Sequence, residues 1–446
     1  MGSFVPNTKK EQEEMLKEAG YSSFEDMLSC IPEEDKLKRP LNLPSGLSEM
    51  EAYRKVEEIS EKNVVYKSIF RGAGAYNHYI PAIVKSVVSK EGLQTAYTPY
   101  QAEISQGVLQ SIFEYQTMIC ELTGMDVANA SHYDGSTAAA EAIPMCKDRK
   151  RTVAYVSSTV HPGTIQVMKT YCFGSDTEIK VVGAKDGVTD PDELAKAMED
   201  KSACCFVMQQ PNFLGNIEDA EKLGEIVHDA GAKFVMSCNP ISLAILKTPA
   251  ECGADICVGD AQPLGMPIAY GGPYVGFMAT KSKMMRKLPG RIVGETTDDA
   301  GNRAYVLTLQ AREQHIRREK ASSNICSNEA LCALTASCYM AAMGKKGMEQ
   351  AATLSMSKAH YMKSELEKVG VKGSYDQPFF NEFTTTNEGM SGIISVALEK
   401  NGILGGLPVN ADQIIWCTTE MNTKADIDKA VAIVKQALED GKEAES

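Results

Sequence analysis

The chain has 446 residues, 43% apolar and 24% charged. That is enough for two or three units with sizeable cores, and it excludes a disordered, collagen-like or membrane-embedded body. Lys plus Arg (46) against Asp plus Glu (59) leaves a net charge of −13, a field that repels polyanions and argues against nucleic acid as a partner.

The thirteen cysteines follow no metal or disulfide grammar: Cys204 and Cys205 are adjacent, Cys326, Cys332 and Cys338 lie six apart, and no C-x-x-C occurs. Reduced thiols in a cytosol are expected, and no metal site. The opening MGSFVPNTKKEQEEM has no apolar h-region, and Pro6 stands where a myristoylation signal wants Ser or Thr. The expected location is the cytoplasm, with no membrane partner.

Residues 1–70 are charged, with periodic apolar positions (Met15, Leu16, Phe24, Met27, Leu28) broken by Pro32, Pro40 and Pro44. They read as short helices joined by an extended arm of the kind that lies on a neighbouring surface. Residues 71–290 alternate between strand and helix. Seven short apolar strands are predicted at 126–131, 152–157, 178–182, 204–208, 233–237, 255–258 and 274–279, with helices at 135–147, 161–172, 191–200 and 218–230. Such alternation makes a mostly parallel sheet covered on both faces; the last two intervals are short, so an edge strand is expected to run antiparallel. Residues 291–446 read as a smaller α+β domain: a long helical region over about 305–369, strands near 378–385, 392–397 and 413–418, and a closing helix from about 423. The nearly uncharged stretch 330–343 is too short for a bilayer and reads as a buried core helix.

Four segments could carry chemistry. In YDGSTAAAEA (133–142) a strand runs into Asp134, Gly135, Ser136 and Thr137 and then a helix. Gly135 allows close approach and the first-turn N–H groups and hydroxyls suit a phosphate, or Asp134 or Ser136 is a plain N-cap. In SSTVHPGT (157–164), His161 sits at a strand end where crevice-lining residues of α/β sheets lie; it stacks over a planar cofactor or simply starts the helix beside Pro162. Segments 72–81 and 95–107 crowd Tyr76, His78, Tyr79, Tyr97, Tyr100 and Gln101, which bind or donate protons, or pack an interface. The basic run Arg312, Arg317, Arg318 and Lys320 places Glu313 and Arg317 at i,i+4. It reads as a salt-bridged exposed helix, with a positive landing surface for an acidic partner as the other reading.

TAYTPYQAEISQG (95–107), NASHYDGSTAAAEA (129–142), VHPGT (160–164), PIAYGGPYVGF (267–277) and REQHIRREKASSNIC (312–326) closely resemble the P-protein of the glycine cleavage system. Length and coverage resemble the separate alpha chain of its two-chain form. The resemblance implies a fold-type-I pyridoxal-phosphate (PLP) architecture, with a large seven-stranded domain plus a small C-terminal one, and an α2β2 heterotetramer. It implies that the complex condenses glycine with PLP, releases CO2 and passes the aminomethyl group to the lipoyl arm of the H-protein, the beta subunit carrying the lysine that binds PLP covalently.

PLP chemistry needs a lysine for the Schiff base, a carboxylate beside the pyridine nitrogen and a phosphate cradle. In enzymes of this fold the lysine follows the strand read at 255–258, yet none lies between Lys247 and Lys281; the carboxylate ends the strand read at 233–237, where this chain has Ser237, Cys238 and Asn239. No catalytic residue is therefore expected in this chain alone. Gly135, Ser136, Thr137, His161, Asn239 and Gln262 are expected to form a degenerate cofactor pocket, and Tyr76, His78, Tyr97, Tyr100 and Gln101 to serve the interface or substrate path. Two competing readings are a structural scaffold that docks the lipoyl carrier, and an independent PLP enzyme using Lys281 or Lys320.

Overall fold

A computed structural model describes residues 7–95, 98–175 and 177–445. The chain divides into two compact units, 1–64 and 65–446. In the first, helices Lys9–Glu18 and Glu49–Ser60 open on capping boxes, Thr8 with Glu11 and Ser48 with Glu51, which satisfy the otherwise orphaned first-turn donors. None of its described residues is buried, although Leu41, Leu43, Tyr53 and Val56 are among its exposed apolar side chains.

The second unit is built on a seven-stranded sheet: β1 (Val127–Ala128), β2 (Val153–Ser157), β3 (Glu178–Val182), β4 (Ala203–Gln210), β5 (Lys233–Cys238), β6 (Ile256–Asp260) and β7 (Gly276–Thr280), in the spatial order β1-β7-β6-β5-β4-β2-β3. β2 to β6 are mutually parallel. The antiparallel strand is β7, which pairs with both β6 and β1. It is therefore one place in from the edge expected of it, because the two-residue β1 adds outside it. Successive side chains of β2, β4 and β5 go to opposite faces: Tyr155, Phe206 and Phe234 join one core, Val156, Val207 and Val235 the other. Helix Gln106–Thr123 contributes Leu109 and Ile112 to the first core. Helices α1 (Gly135–Cys146) and α2 (Pro162–Gly174) cover the second with Ile143 and Met168. Covered on both faces, the inner strands are nearly uniformly apolar, as a buried parallel sheet requires, whereas the edge strand β3 keeps Glu178 and Val181 exposed.

A third core, around Phe70, Phe383 and Trp416, lies under a four-stranded antiparallel sheet (Lys372–Gly373, Glu382–Thr386, Gln413–Cys417, Leu407–Pro408) and the helix Lys424–Glu445. Two expectations fail in this half. Residues 303–308 are not helical but pair with Ile292–Thr297 as a hairpin, because Tyr305 packs on the Phe113 ring at 5.3 Å and an alternating β-branched sequence accepts cross-strand pairing. The long helix begins only at Ala330 and reaches Lys368, interrupted at Gly344, whose φ is 59°. Its first turns bury Cys332, Ala333, Ala336 and Tyr339 while Leu331 stays exposed. Residues 392–397 lie inside a helix, Ser391–Lys400, that buries Ser391, Ile394 and Leu398. That is helical spacing, and it outweighed the β preference of Ile393, Ile394 and Val396. Among the described residues no helix is long and apolar enough to cross a membrane.

Candidate functional site

The carboxyl ends of β5 and β6 open, with the first turns of α1 and α2, into a cavity of about 290 Å³. The sequence builds each wall locally. Asp134 caps α1, its Oδ1 accepting from Thr137 N at 2.7 Å, while Thr137 Oγ1 accepts from Asp134 N at 3.1 Å. His161 caps α2, Nδ1 accepting from Gly163 N at 3.0 Å with Pro162 at the first helical position. Its ring stands edge-on to Phe213 at 4.9 Å, and burial lowers its pKa.

Gly135, Ser136, His161 and Asn239 all line this cavity, together with Tyr76. Thr137 and Gln262 are not among its walls. Thr137 completes the α1 cap, and Gln262 is fully buried, its Oε1 accepting from Tyr76 N at 2.8 Å and its Nε2 donating to Tyr76 O at 2.9 Å and Met266 O at 2.8 Å. Gln262 thus pins the 72–78 segment against the turn after β6. Asn239 is also held locally, its Oδ1 accepting from Ile241 N at 3.0 Å.

Three carboxyl groups line the cavity as well: Asp134, Asp260 and Glu382. Asp260, the last residue of β6, accepts from Gly135 N at 3.0 Å through Oδ2 and from Gln262 N at 2.8 Å through Oδ1; burial pushes its pKa up to about 6. Glu382 accepts from Ala73 N at 2.6 Å and from the Tyr76 hydroxyl at 2.8 Å; burial pushes it up to about 7. The signal for Asp260 lay in plain view, as an acid at a strand's carboxyl end. Glu382 had none, because it arrives from a strand 306 positions beyond its partner Tyr76.

These residues do not fit PLP. Among the described residues no lysine or arginine lines the cavity. Of the α1 first-turn donors that would hold a phosphate, Gly135 N is bound by Asp260 and Thr137 N by Asp134. Gly135 itself is needed for packing: a Cβ there would meet Asp260 N at 2.7 Å and Gly259 C at 3.0 Å. A dianion placed among three carboxyl groups would be repelled. Lys281 donates to Gly253 O at 3.1 Å, and Lys320 lines another cavity.

The remaining candidates are dispersed. His78 is buried, its Nδ1 2.7 Å from Glu420 Oε2. Burial opposes the charge on Glu420, but the bonds from His78 and from Tyr79 N outweigh it and hold its pKa below the ordinary value. Tyr100 lies under the Arg291 guanidinium at 3.8 Å, its hydroxyl 3.2 Å from Ser327 Oγ. Gln101 is exposed, and its carbonyl caps the turn before Gln106. Tyr97 lies outside the described residues. The expected Glu313–Arg317 pair does not form. Glu313 turns inward to Arg291 at 3.2 Å and His315 at 3.4 Å, and the helix there is one turn, Gln314–Arg317.

The family model of the glycine cleavage system P-protein matches residues 2–434. The chain belongs to the P-protein family. Among relatives of this P-protein, one from Geobacillus thermodenitrificans (strain NG80-2) is 46% identical over 437 residues, 96% of this chain and 97% of its own. Another, from Carboxydothermus hydrogenoformans, is 48% identical over 440 residues, 97% of this chain and 99% of its own. Both bear the name "probable glycine dehydrogenase (decarboxylating) subunit 1". A crystal structure of glycine decarboxylase (P-protein) of the glycine cleavage system, in inhibitor-bound form, superposes with a TM-score of 0.91 at 39% identity, covering 98% of this chain and 100% of that one. A sphingosine-1-phosphate lyase from Burkholderia pseudomallei K96243 has a TM-score of 0.68 at 13% identity, covering 92% and 94%, which shows the fold alone. The P-protein chain is thus an α/β protein of the fold-type-I class and an enzyme subunit of the glycine cleavage system.

Proposed function

We propose that this chain is the alpha subunit of a two-chain glycine dehydrogenase (decarboxylating), which takes part in glycine decarboxylation without holding the coenzyme. The observation that carries the reading is the strand-end cavity, two of whose first-turn donors, Gly135 N and Thr137 N, are bound by the chain's own carboxylates and which, among the described residues, no lysine or arginine lines. In this reading PLP is bound covalently by the beta subunit and supplies the electron sink. Two alpha and two beta subunits form the heterotetramer, glycine is the substrate, and the lipoylated H-protein receives the aminomethyl group. The segments bearing Tyr76 and His78, and Tyr97, Tyr100 and Gln101, are proposed to face the shared site. All thirteen thiols are free, which supports placing the chain in the reducing cytoplasm.

The test is reconstitution from purified chains. Alpha alone and beta alone are expected to release no CO2 from glycine, and the mixture to do so. Borohydride reduction of the PLP-loaded mixture is expected to label a beta peptide only. Decarboxylation by alpha alone, a labelled alpha peptide, or full activity of beta after alpha is removed would each overturn the reading.

A further inference from the structure

A second cavity, of about 390 Å³, gathers Arg286 and Lys287 from the turn Ser282–Lys287 with Arg312, Arg317, Lys320 and Ser322 from the basic run. Among the described residues, no acidic residue is among its walls. Two of the five cations have structural work: Lys287 Nζ donates to Met145 O at 2.8 Å and Lys147 O at 3.3 Å, and the Arg312 guanidinium binds the carbonyls of Leu288 and Gly290. Even so, Arg312 Nε is buried with no hydrogen-bond partner among the described residues. The other three, Arg286, Arg317 and Lys320, are exposed and make no ion pair or side-chain hydrogen bond among the described residues. In a chain of net charge −13, carboxylates to neutralise this group are plentiful. Instead Glu313, beside Arg312, is directed inward to Arg291, and the exposed Glu319, beside Lys320, is not among the cavity's walls.

Like charges held together without counter-charges repel one another and focus a positive potential in the concavity between them. Guanidinium forks match the oxygens of phosphate in pairs, a lysine adds a point charge, and a serine hydroxyl adds a neutral donor. We propose that this cavity is an anion site for a compact polyanion of the phosphate class: inorganic phosphate, pyrophosphate or a phosphate monoester. Its size favours a small ligand over an acidic protein face, because a protein interface spreads over about 800 Å² on each partner. The cavity concentrates five cations on a volume that one small molecule fills.

Titration of the full 446-residue chain with inorganic pyrophosphate at low ionic strength, followed by calorimetry, tests the site. One saturable site per chain is expected, weakening as sodium chloride is added. Charge reversal in R317E/K320E is expected to weaken binding at least about tenfold. The exposed pair K345E/K346E, outside the cavity, is expected to leave it unchanged, and circular dichroism monitors folding. If the double reversal fails to fold, Arg286→Gln, a single exposed change, is expected to weaken binding severalfold. Non-saturating heats, equal heats from chloride at matched ionic strength, or an equal loss in K345E/K346E overturn the proposal. Binding of polyglutamate without binding of pyrophosphate also overturns it, in favour of an acidic protein partner.

Discussion

The Tyr76 hydroxyl donates a 2.8 Å hydrogen bond to Glu382 Oε2, joining residues 306 positions apart in the chain that both line the strand-end cavity. Both side chains are buried, and the second Glu382 oxygen accepts from Ala73 N. A negative carboxylate at this depth needs both donors, and removing one leaves it undersolvated. Tyr76→Phe is expected to cost about 1–2 kcal/mol, read as a lower thermal midpoint, with secondary structure unchanged. An unaltered midpoint would show that the bond contributes nothing net.

The same group gives stability a pH dependence. Glu382 has its pKa raised from 4.5 to about 7 by burial. Between those values the folded chain keeps a proton that the unfolded chain has released, so the contribution is fully present below about pH 4.5 and is lost as pH rises through about 7. Asp260, raised from 3.8 to about 6, acts in the same direction over its own window. Glu382→Gln is expected to flatten the fall in melting temperature between pH 5 and 8. A slope identical to that of the unmodified chain would refute the assignment.

Gly135 separates packing from anion binding. Its absent side chain admits the backbone of Gly259 and Asp260, which cannot yield as a flexible side chain would. Gly135→Ala is expected to destabilise the chain by about 1–3 kcal/mol. Titration of PLP into the isolated chain should give no saturable spectral change before or after the substitution. A PLP band in the unmodified chain that the substitution abolishes would restore the cradle reading.

Arg291 was not singled out by its sequence context, yet it organises the aromatic segment. It stacks on Tyr100, pairs with buried Glu313 and donates from Nε to the Cys326 carbonyl at 2.6 Å. Lysine keeps the charge but has neither the planar face nor the fork. Arg291→Lys is therefore expected to lower stability by about 1–3 kcal/mol and to raise exchange of the Tyr100–Ser105 amides. Protection equal to that of the unmodified chain would show that Tyr100 is held by something else.

The strand–helix rhythm of residues 126–280 was legible because fully buried strands and capped helices leave local marks: uniform apolar runs, Asp134 before α1, Pro162 opening α2. Residues 305–308 and 392–397 read otherwise in the sequence because β-branched side chains occur in both settings, and cross-strand pairing with 292–297 in one case, burial at helical spacing in the other, decided between them.

The amino-acid order alone settles that no lysine stands between Lys247 and Lys281 and that acids outnumber bases, since both are facts of composition and position. The tertiary structure decided how charges are partnered. It brought Glu382 to Tyr76 and Asp260 to Gly135, turned Glu313 away from Arg317, and left Arg286, Arg317 and Lys320 together without counter-charges. Charge acts through space over a few ångströms, and the neighbours that set it come from strands and turns tens to hundreds of residues apart.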